Sequence, residues 1–244
     1  MAIIYEPKGK AREYCELAIN LYRGCEHGCS YCYAPNILYL SRDNFKNASI
    51  RQGILKQIEK EAPAYANSGK EVQLCFTCDP YHQLDAQARL TRDTINILHN
   101  NNITVRILTK GGKRSERDFD LLSANKGLSW YGATLTFTED KDSLLYEPMA
   151  ALPIERFESL KKAHQLGIKT WASLEPVIIP EQTLQIIEHT HKYIDVFKVG
   201  KWNHSKDAAK IDWQKFTNEA VEILKRYNKQ YYIKQDLQKF LLDI

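Results

Sequence analysis

Short apolar, β-rich runs alternate with helical patterns along nearly the whole chain, and this alternation constrains the fold more than any other feature. Strand-like runs lie at Leu17–Tyr22, Val72–Phe76, Ile103–Leu108, Trp130–Phe137, Ile168–Leu174 and Ile194–Val199. Between them the sequence predicts helices at Ser49–Glu61, about Asp85–Asn100, about Ser115–Ala124, Pro153–Leu166 and Glu181–His191. In the first of these, Ser49 and Gln52 read as a capping box ahead of an apolar face of Ile50, Ile54, Leu55 and Ile58. Such alternation belongs to βα units around a parallel sheet. Asp212 caps a last helix running to about Tyr227, and Tyr231–Lys234 reads as a short final strand at the sheet edge. The chain has 244 residues, close to the ~250 typical of one (β/α) barrel. No internal repeat or linker divides it, so one domain over residues 1–244 is expected. Its cysteine loop spans 23–33, and its C-terminal helix and strand lie within 212–244.

The stretch Asn20-Leu21-Tyr22-Arg23-Gly24-Cys25-Glu26-His27-Gly28-Cys29-Ser30-Tyr31-Cys32-Tyr33 follows the first strand-like run. In (β/α) barrels the C-terminal end of a strand is where chemistry is placed. Cys25, Cys29 and Cys32 have C-x3-C-x2-C spacing. Thiolates are soft ligands suited to iron–sulfur clusters or zinc. Gly24 and Gly28 let the backbone fold tightly around a bound object. A closed zinc site or an ordinary four-cysteine cluster needs a fourth ligand, and the next cysteines are Cys75 and Cys78. A cubane held by three cysteines keeps one iron open.

Composition sets the context. Hydrophobic content of 43% and charged content of 26% read as an ordinary globular protein. No run approaches the ~18 apolar residues of a membrane span, and the N-terminus has no signal-peptide layout. A reducing cytoplasm is expected, where cysteines serve metals or catalysis more often than disulfides. The net charge of +4 permits a nucleic-acid partner without arguing for one.

The C-x3-C-x2-C run with an aromatic before its third cysteine resembles the signature of the radical S-adenosylmethionine (SAM) enzymes. The resemblance implies an open (β/α)6 partial barrel, with the short C-terminal strand as an addition at the sheet edge. It implies a [4Fe–4S] cluster on Cys25, Cys29 and Cys32, whose open iron takes the amino and carboxylate groups of SAM. It also implies an electron donor such as flavodoxin or ferredoxin. The reduced cluster cleaves SAM, and a 5′-deoxyadenosyl radical abstracts hydrogen from a substrate.

A narrower likeness runs through Thr77-Cys78-Asp79-Pro80-Tyr81, Thr109-Lys110, Arg117-Asp118, Glu147-Pro148 with Arg156, and Pro176-Val177-Ile178-Ile179-Pro180. These segments resemble the spore photoproduct lyase-like family. The likeness implies that Thr77, Cys78 and Asp79 meet the SAM amino group and Lys110 its carboxylate. Thr136, with Thr134 on the same face, matches a ribose contact. Ile178 and Tyr31 pack the adenine. Glu147 and Arg156 read as an ion pair fixing a loop to its helix. Glu175, Lys198 and Tyr33 are the candidates for catalytic or substrate contact, with Glu175 pointing into the barrel mouth.

The chain departs from the lyase at Phe76, where the lyase carries its hydrogen-returning cysteine. Cys75 is next door and is expected to face away, by strand alternation. Repair of the thymine photoproduct is therefore not expected. A nucleobase or nucleic-acid substrate is the leading expectation. A peptide or small metabolite is the alternative substrate class, and a zinc-stabilised, non-catalytic binding module is the alternative from outside enzymology. A second metal on Cys75 and Cys78 is not expected, and Cys15 reads as a small buried residue.

Overall fold

Seven strands form a single sheet in a computed structural model that describes residues 2–242. The ends of the expected domain, Met1, Asp243 and Ile244, lie outside the described residues. In chain order the strands are β1 (Leu17–Ile19), β2 (Glu71–Leu74), β3 (Thr104–Ile107), β4 (Ser129–Thr134), β5 (Lys169–Val177), β6 (Val196–Lys201) and β7 (Gln230–Ile233). Each pairs in parallel with its successor, so sheet order is chain order. The helices crossing back are α1 (Ile54–Glu61), α2 (Leu90–Asn100), α3 (Phe119–Ala124), α4 (Pro153–Gln165), α5 (Pro180–Thr190) and α6 (Trp213–Arg226). This is the α/β partial barrel expected of the chain, with β7 on the edge beside β6.

The strands are short because each is bounded by loops that leave the core at once. Leu17, Ala18 and Ile19 are all fully buried, as are Val72, Leu74, Val105 and Ile107. Continuous burial is what a parallel sheet covered on both faces demands. The helices contribute Ile58, Ile95, Leu98, Leu160 and Leu224 to the same core. Beneath the mouth, Trp171 is fully buried and donates its indole N–H to the Ile107 carbonyl at 2.9 Å.

Several expected elements are cut differently. Tyr22 leaves the first strand: Tyr22–Arg23 pair antiparallel with Ser49–Ile50 in a separate two-stranded ribbon. That pairing takes Ser49 away from the capping box, and α1 starts only at Ile54, after Gly53 at φ +69°. The helix expected over 85–100 is two helices, Gln83–Ala88 and α2, broken at Arg89 with φ +54°. The break is held by Asp85, whose buried carboxylate accepts the Thr91 N–H at 3.0 Å and meets the Arg117 guanidinium at 2.8 Å. The helix expected from Ser115 begins as a 3-10 turn at Gly112. Asp212 caps α6 as expected, accepting from the Lys215 N–H at 3.0 Å.

The N-terminal residues do not join the barrel as a strand. Tyr5 bridges antiparallel to Ala18 on the outer edge of β1. The chain then turns through Gly9–Glu13 and crosses to the far edge of the sheet. Lys10 Nζ donates to Asn203 at 2.6 Å and to Asp236 at 2.7 Å. Glu13 accepts from the Tyr232 hydroxyl at 3.1 Å and the Gln235 N–H at 2.9 Å. This strap spans the side that an open barrel leaves unpaired. Among the described residues no helix is long and apolar enough to cross a membrane.

Candidate active site

The C-terminal ends of the strands open on one cavity of about 580 Å³, within the range usual for small-molecule sites. Cys25, Cys29 and Cys32 all line it. The loop that carries them is pinned at both ends. The ribbon of Tyr22–Arg23 with Ser49–Ile50 holds its base, and the Cys25 N–H donates to the Phe45 carbonyl at 2.8 Å. Gly24 sits at φ +89°, and a Cβ there would come within 2.5 Å of the Phe45 oxygen. Further along, the Ser30 N–H donates to Tyr146 O at 2.8 Å, and Met149 N–H to His27 O at 3.1 Å. Arg42 closes the loop, donating to the carbonyls of Cys29 at 3.2 Å and Cys32 at 3.3 Å.

Burial raises all three thiols, Cys29 to about 12, although Lys110 pulls Cys29 and Cys32 down. Thiols held this far from water become thiolates only beside a compensating positive charge, which a soft metal supplies. Among the described residues no three His, Cys, Asp or Glu side chains gather as ligands of one metal ion. A cubane does not require that, since each thiolate binds a different iron. On the cavity wall the hydroxyl of Thr77 is buried without a hydrogen-bond partner, a cost that a bound polar group would relieve. The residues present thus fit a three-thiolate cluster with a polar ligand beside it.

The wall facing the cysteines is the loop after β2. Asn20 orients it, accepting the N–H groups of Phe76 and Thr77, both at 2.8 Å. Asp79 lines the cavity, but its oxygens are engaged: Oδ1 accepts from Tyr81 N–H at 2.8 Å and Thr109 Oγ1 at 2.6 Å, and Oδ2 from Lys110 N–H at 2.7 Å. These bonds, with His27 3.5 Å away, outweigh burial and hold the Asp79 carboxyl below its usual range. Burial lowers His27 to about 4.

Lys110 lines the cavity with its ammonium 5.6 Å from the centre of the Tyr31 ring. Burial disfavours its charge, but Cys29 and Glu147 together hold its pKa above the usual value. Tyr31 also lines the cavity and donates its hydroxyl to Glu147. Glu147 and Arg156 form the expected ion pair, Arg156 Nη2 standing 2.5 Å from Glu147 Oε2 outside hydrogen-bond alignment. Thr134 reaches the cavity; Thr136 does not, and gives its hydroxyl to Glu147 at 3.3 Å. Ile178 is buried without lining the cavity.

At the tip of β5, Glu175 points into the mouth as expected. Its side chain lies over Gly200, where a Cβ would meet its carboxyl carbon at 2.6 Å. Oε2 accepts from the Tyr14 hydroxyl and from Lys234 Nζ at 2.7 Å. Tyr33 lines the mouth, 41% exposed, and donates to the Phe76 carbonyl at 3.0 Å. Lys198 turns away from the cavity: its ammonium donates to the carbonyls of Glu13 and Tyr14, both at 2.9 Å, anchoring the strap.

Cys75 is also oriented against the expectation from strand alternation. β2 ends at Leu74, so the two-residue period lapses before Cys75, and burial beside Cys78 raises its thiol pKa. Both line the cavity. Sequence reasoning also missed Tyr14 and Lys234. The signal for Lys234 was an ionisable residue at the C-terminal end of a strand, directly after Tyr232-Ile233. Tyr14 carried no local signal, because a strap reaches its partners only through tertiary folding.

Known proteins resemble this chain in sequence or in fold. The chain is 25% identical over 182 residues to the uncharacterized protein ORF301 of Acidianus two-tailed virus, covering 70% of this chain and 59% of that one. It is 28% identical over 163 residues to the uncharacterized protein MJ0683 of Methanocaldococcus jannaschii, covering 66% and 60%. The chain thus spans about three fifths of the length of these curated relatives. Among solved structures, a double mutant of spore photoproduct lyase with bound AdoMet and dinucleoside spore photoproduct superposes with a TM-score of 0.73. The identity is 14%, over 94% of this chain and 78% of the lyase. SuiB of Streptococcus suis bound to S-adenosylmethionine gives 0.68 at 14% identity, over 89% and 49%. At these identities the two structures share the fold. The sequence profile of the radical SAM superfamily matches residues 19–194, from the last residue of β1 to just before β6, and the chain belongs to that superfamily, whose cofactors are SAM and a [4Fe–4S] cluster.

Proposed function

We propose that this chain is a radical SAM enzyme, lyase- or transferase-like, acting on a nucleobase or nucleic acid within one domain in the reducing cytoplasm. The observation that carries the reading is the shared cavity. Cys25, Cys29 and Cys32 line one side, and Thr77, Lys110 and Glu175 line the rest. Bound there, the cluster and SAM supply a 5′-deoxyadenosyl radical when an electron arrives from a donor such as flavodoxin or ferredoxin.

The residues divide the remaining work. Cys25, Cys29 and Cys32 hold the cluster. Thr77, with the backbone of Cys78 and Asp79, receives the amino group of SAM, its unpartnered hydroxyl being a ready acceptor. Lys110 takes the carboxylate. A buried ammonium needs an anionic partner, and Lys110 has no direct carboxylate contact of its own among the described residues. Tyr31 and Thr134 border the nucleoside. Asp79 sets the loop geometry through Thr109, and Thr136 and Glu147 set the Tyr31 ring. Ile178 backs this wall from the core side. Glu175 and Tyr33 face the substrate.

Two features favour a nucleic-acid type of substrate over a peptide. The mouth carries Lys8, Lys10, Lys201 and His204 beside Trp202 and Tyr33, a combination of cations and stacking rings that suits phosphates and bases. A fold neighbour carries a dinucleoside. The test is anaerobic reconstitution with iron and sulfide, then reduction in the presence of SAM and deuterated oligonucleotides. The expected result is 5′-deoxyadenosine carrying deuterium. A preparation that takes up no iron, or forms no 5′-deoxyadenosine, overturns the reading.

A further inference from the structure

Three polar groups meet at the far side of the cavity, and what they read in a substrate is not given by the radical chemistry proposed above. They are Glu175 on β5, Lys234 at the end of β7 and Tyr14 on the strap, and all three line the cavity. Lys234 is only 2% exposed, a rare burial for a lysine. Its ammonium sits 2.7 Å from Glu175 Oε2 and 4.5 Å above the Tyr14 ring. Tyr14 in turn donates to the same Oε2 and exchanges a 2.9 Å hydrogen bond with Ser173. Oε2 therefore carries two donors, while Oε1 receives no hydrogen bond from the described residues. The carboxylate is confined on two counts: it occupies the space that a side chain at position 200 would fill, and Oε2 is held by two groups.

This leaves on the cavity wall an acceptor, Glu175 Oε1, beside a donor, the Lys234 ammonium, whose one hydrogen bond among the described residues goes to Oε2. Phe76 also lines the cavity and packs edge-on to Tyr14, with ring centres 6.0 Å apart. An acceptor next to a donor, bordered by an aromatic ring, complements a flat ring whose edge presents an N–H beside an acceptor atom.

We infer that Glu175 and Lys234, braced by Tyr14, recognise the hydrogen-bonding edge of a nucleobase. The inference rests on the proposed function for its setting, and it names which part of the substrate the protein reads. It also gives β7 a purpose: the strand added beyond the six of the partial barrel delivers the donor half of the edge. A site built to pair such an edge rejects an analogue that lacks the N–H, because the carboxylate oxygen that the bound ring covers is then left unpaired.

The test is calorimetric binding of uridine, 3-methyluridine and δ-valerolactam to the reconstituted holoenzyme with SAM, without reductant. 3-Methyluridine replaces the ring N–H by N–CH3, and δ-valerolactam keeps an amide edge without an aromatic ring. Uridine is expected to bind at least tenfold more tightly than either, about 1.4 kcal/mol. Lys234→Met is expected to weaken uridine by a similar factor and Lys234→Arg to restore part of it, with thermal melting as the check on folding. Equal binding of uridine and 3-methyluridine overturns the proposal, as does failure of uridine to bind. δ-Valerolactam binding as tightly as uridine also overturns it, assigning the edge to non-aromatic amides. If Lys234→Met does not fold, the wild-type comparison decides alone. Since no turnover is needed, a protein that forms no 5′-deoxyadenosine yet separates uridine from 3-methyluridine refutes the radical chemistry and leaves the edge standing.

Discussion

Glu147 and Arg156 face each other at 2.5 Å in the interior, neither more than 2% exposed. The pair joins the loop after β4 to α4, and through the Tyr31 hydroxyl it reaches the cysteine loop. Arg156 also donates to the carbonyls of Ala151 at 2.8 Å and Thr134 at 3.1 Å. Removing one partner of a buried pair strands the other charge, which costs roughly 3–5 kcal/mol. Arg156→Met is therefore expected to lower urea-unfolding stability by about that much. The double variant Glu147→Leu with Arg156→Met should lose less than the sum of the singles. Additive losses would show that the two charges act independently.

Gly24→Ala tests the cysteine loop by itself. The residue occupies a left-handed conformation, and an added methyl meets the Phe45 carbonyl at 2.5 Å. The parallel sheet does not depend on this contact, so far-ultraviolet circular dichroism should be near wild type. Iron and sulfide content after anaerobic reconstitution should fall steeply. Normal iron uptake by this variant would contradict the pinned-loop geometry.

Serine variants at four of the cysteines test the proposed ligand set. Serine at Cys25, Cys29 or Cys32 is expected to abolish cluster retention and, with it, 5′-deoxyadenosine formation. Serine at Cys75 is expected to leave iron content unchanged, although Cys75 lines the same cavity. Iron and sulfide analysis of the four variants distinguishes three ligands from a larger set.

Lys198 gives a pH signature. Burial lowers its pKa to about 8 from the usual 10.5. A lysine whose folded pKa lies below its unfolded value releases its proton earlier in the native state. The native state therefore gains stability as pH rises from about 8 to 10.5. Lys198→Met lacks this gain. The stability of the variant relative to wild type should fall across that window, by on the order of 3 kcal/mol at most. Parallel stability–pH curves from urea titrations would refute it.

What the sequence made legible was local. The six strands of the partial barrel, the edge strand and the cap at Asp212 all follow from periodicity and capping chemistry. The cysteine spacing identified the loop that forms one wall of the cavity. What stayed hidden depended on partners far along the chain. The Ser49–Ile50 ribbon exists because Tyr22–Arg23 is there to pair with it, and that outweighs a sound capping box. Arg89 breaks a good helical pattern because Asp85 is held by Tyr22 and Arg117. Lys198 sits at a strand position that alternation aims inward, yet the strap intercepts it. Tyr14 and Lys234 enter the site from opposite ends of the chain, a meeting no window of sequence can display.

That meeting orders assembly in time. Lys10 pairs with Asp236 across 226 residues and Glu13 with Tyr232 across 219. During synthesis the cysteine loop and the first five strands emerge long before those contacts can form. The strap therefore closes over the open side of the sheet only once β7 and the residues after it have been made.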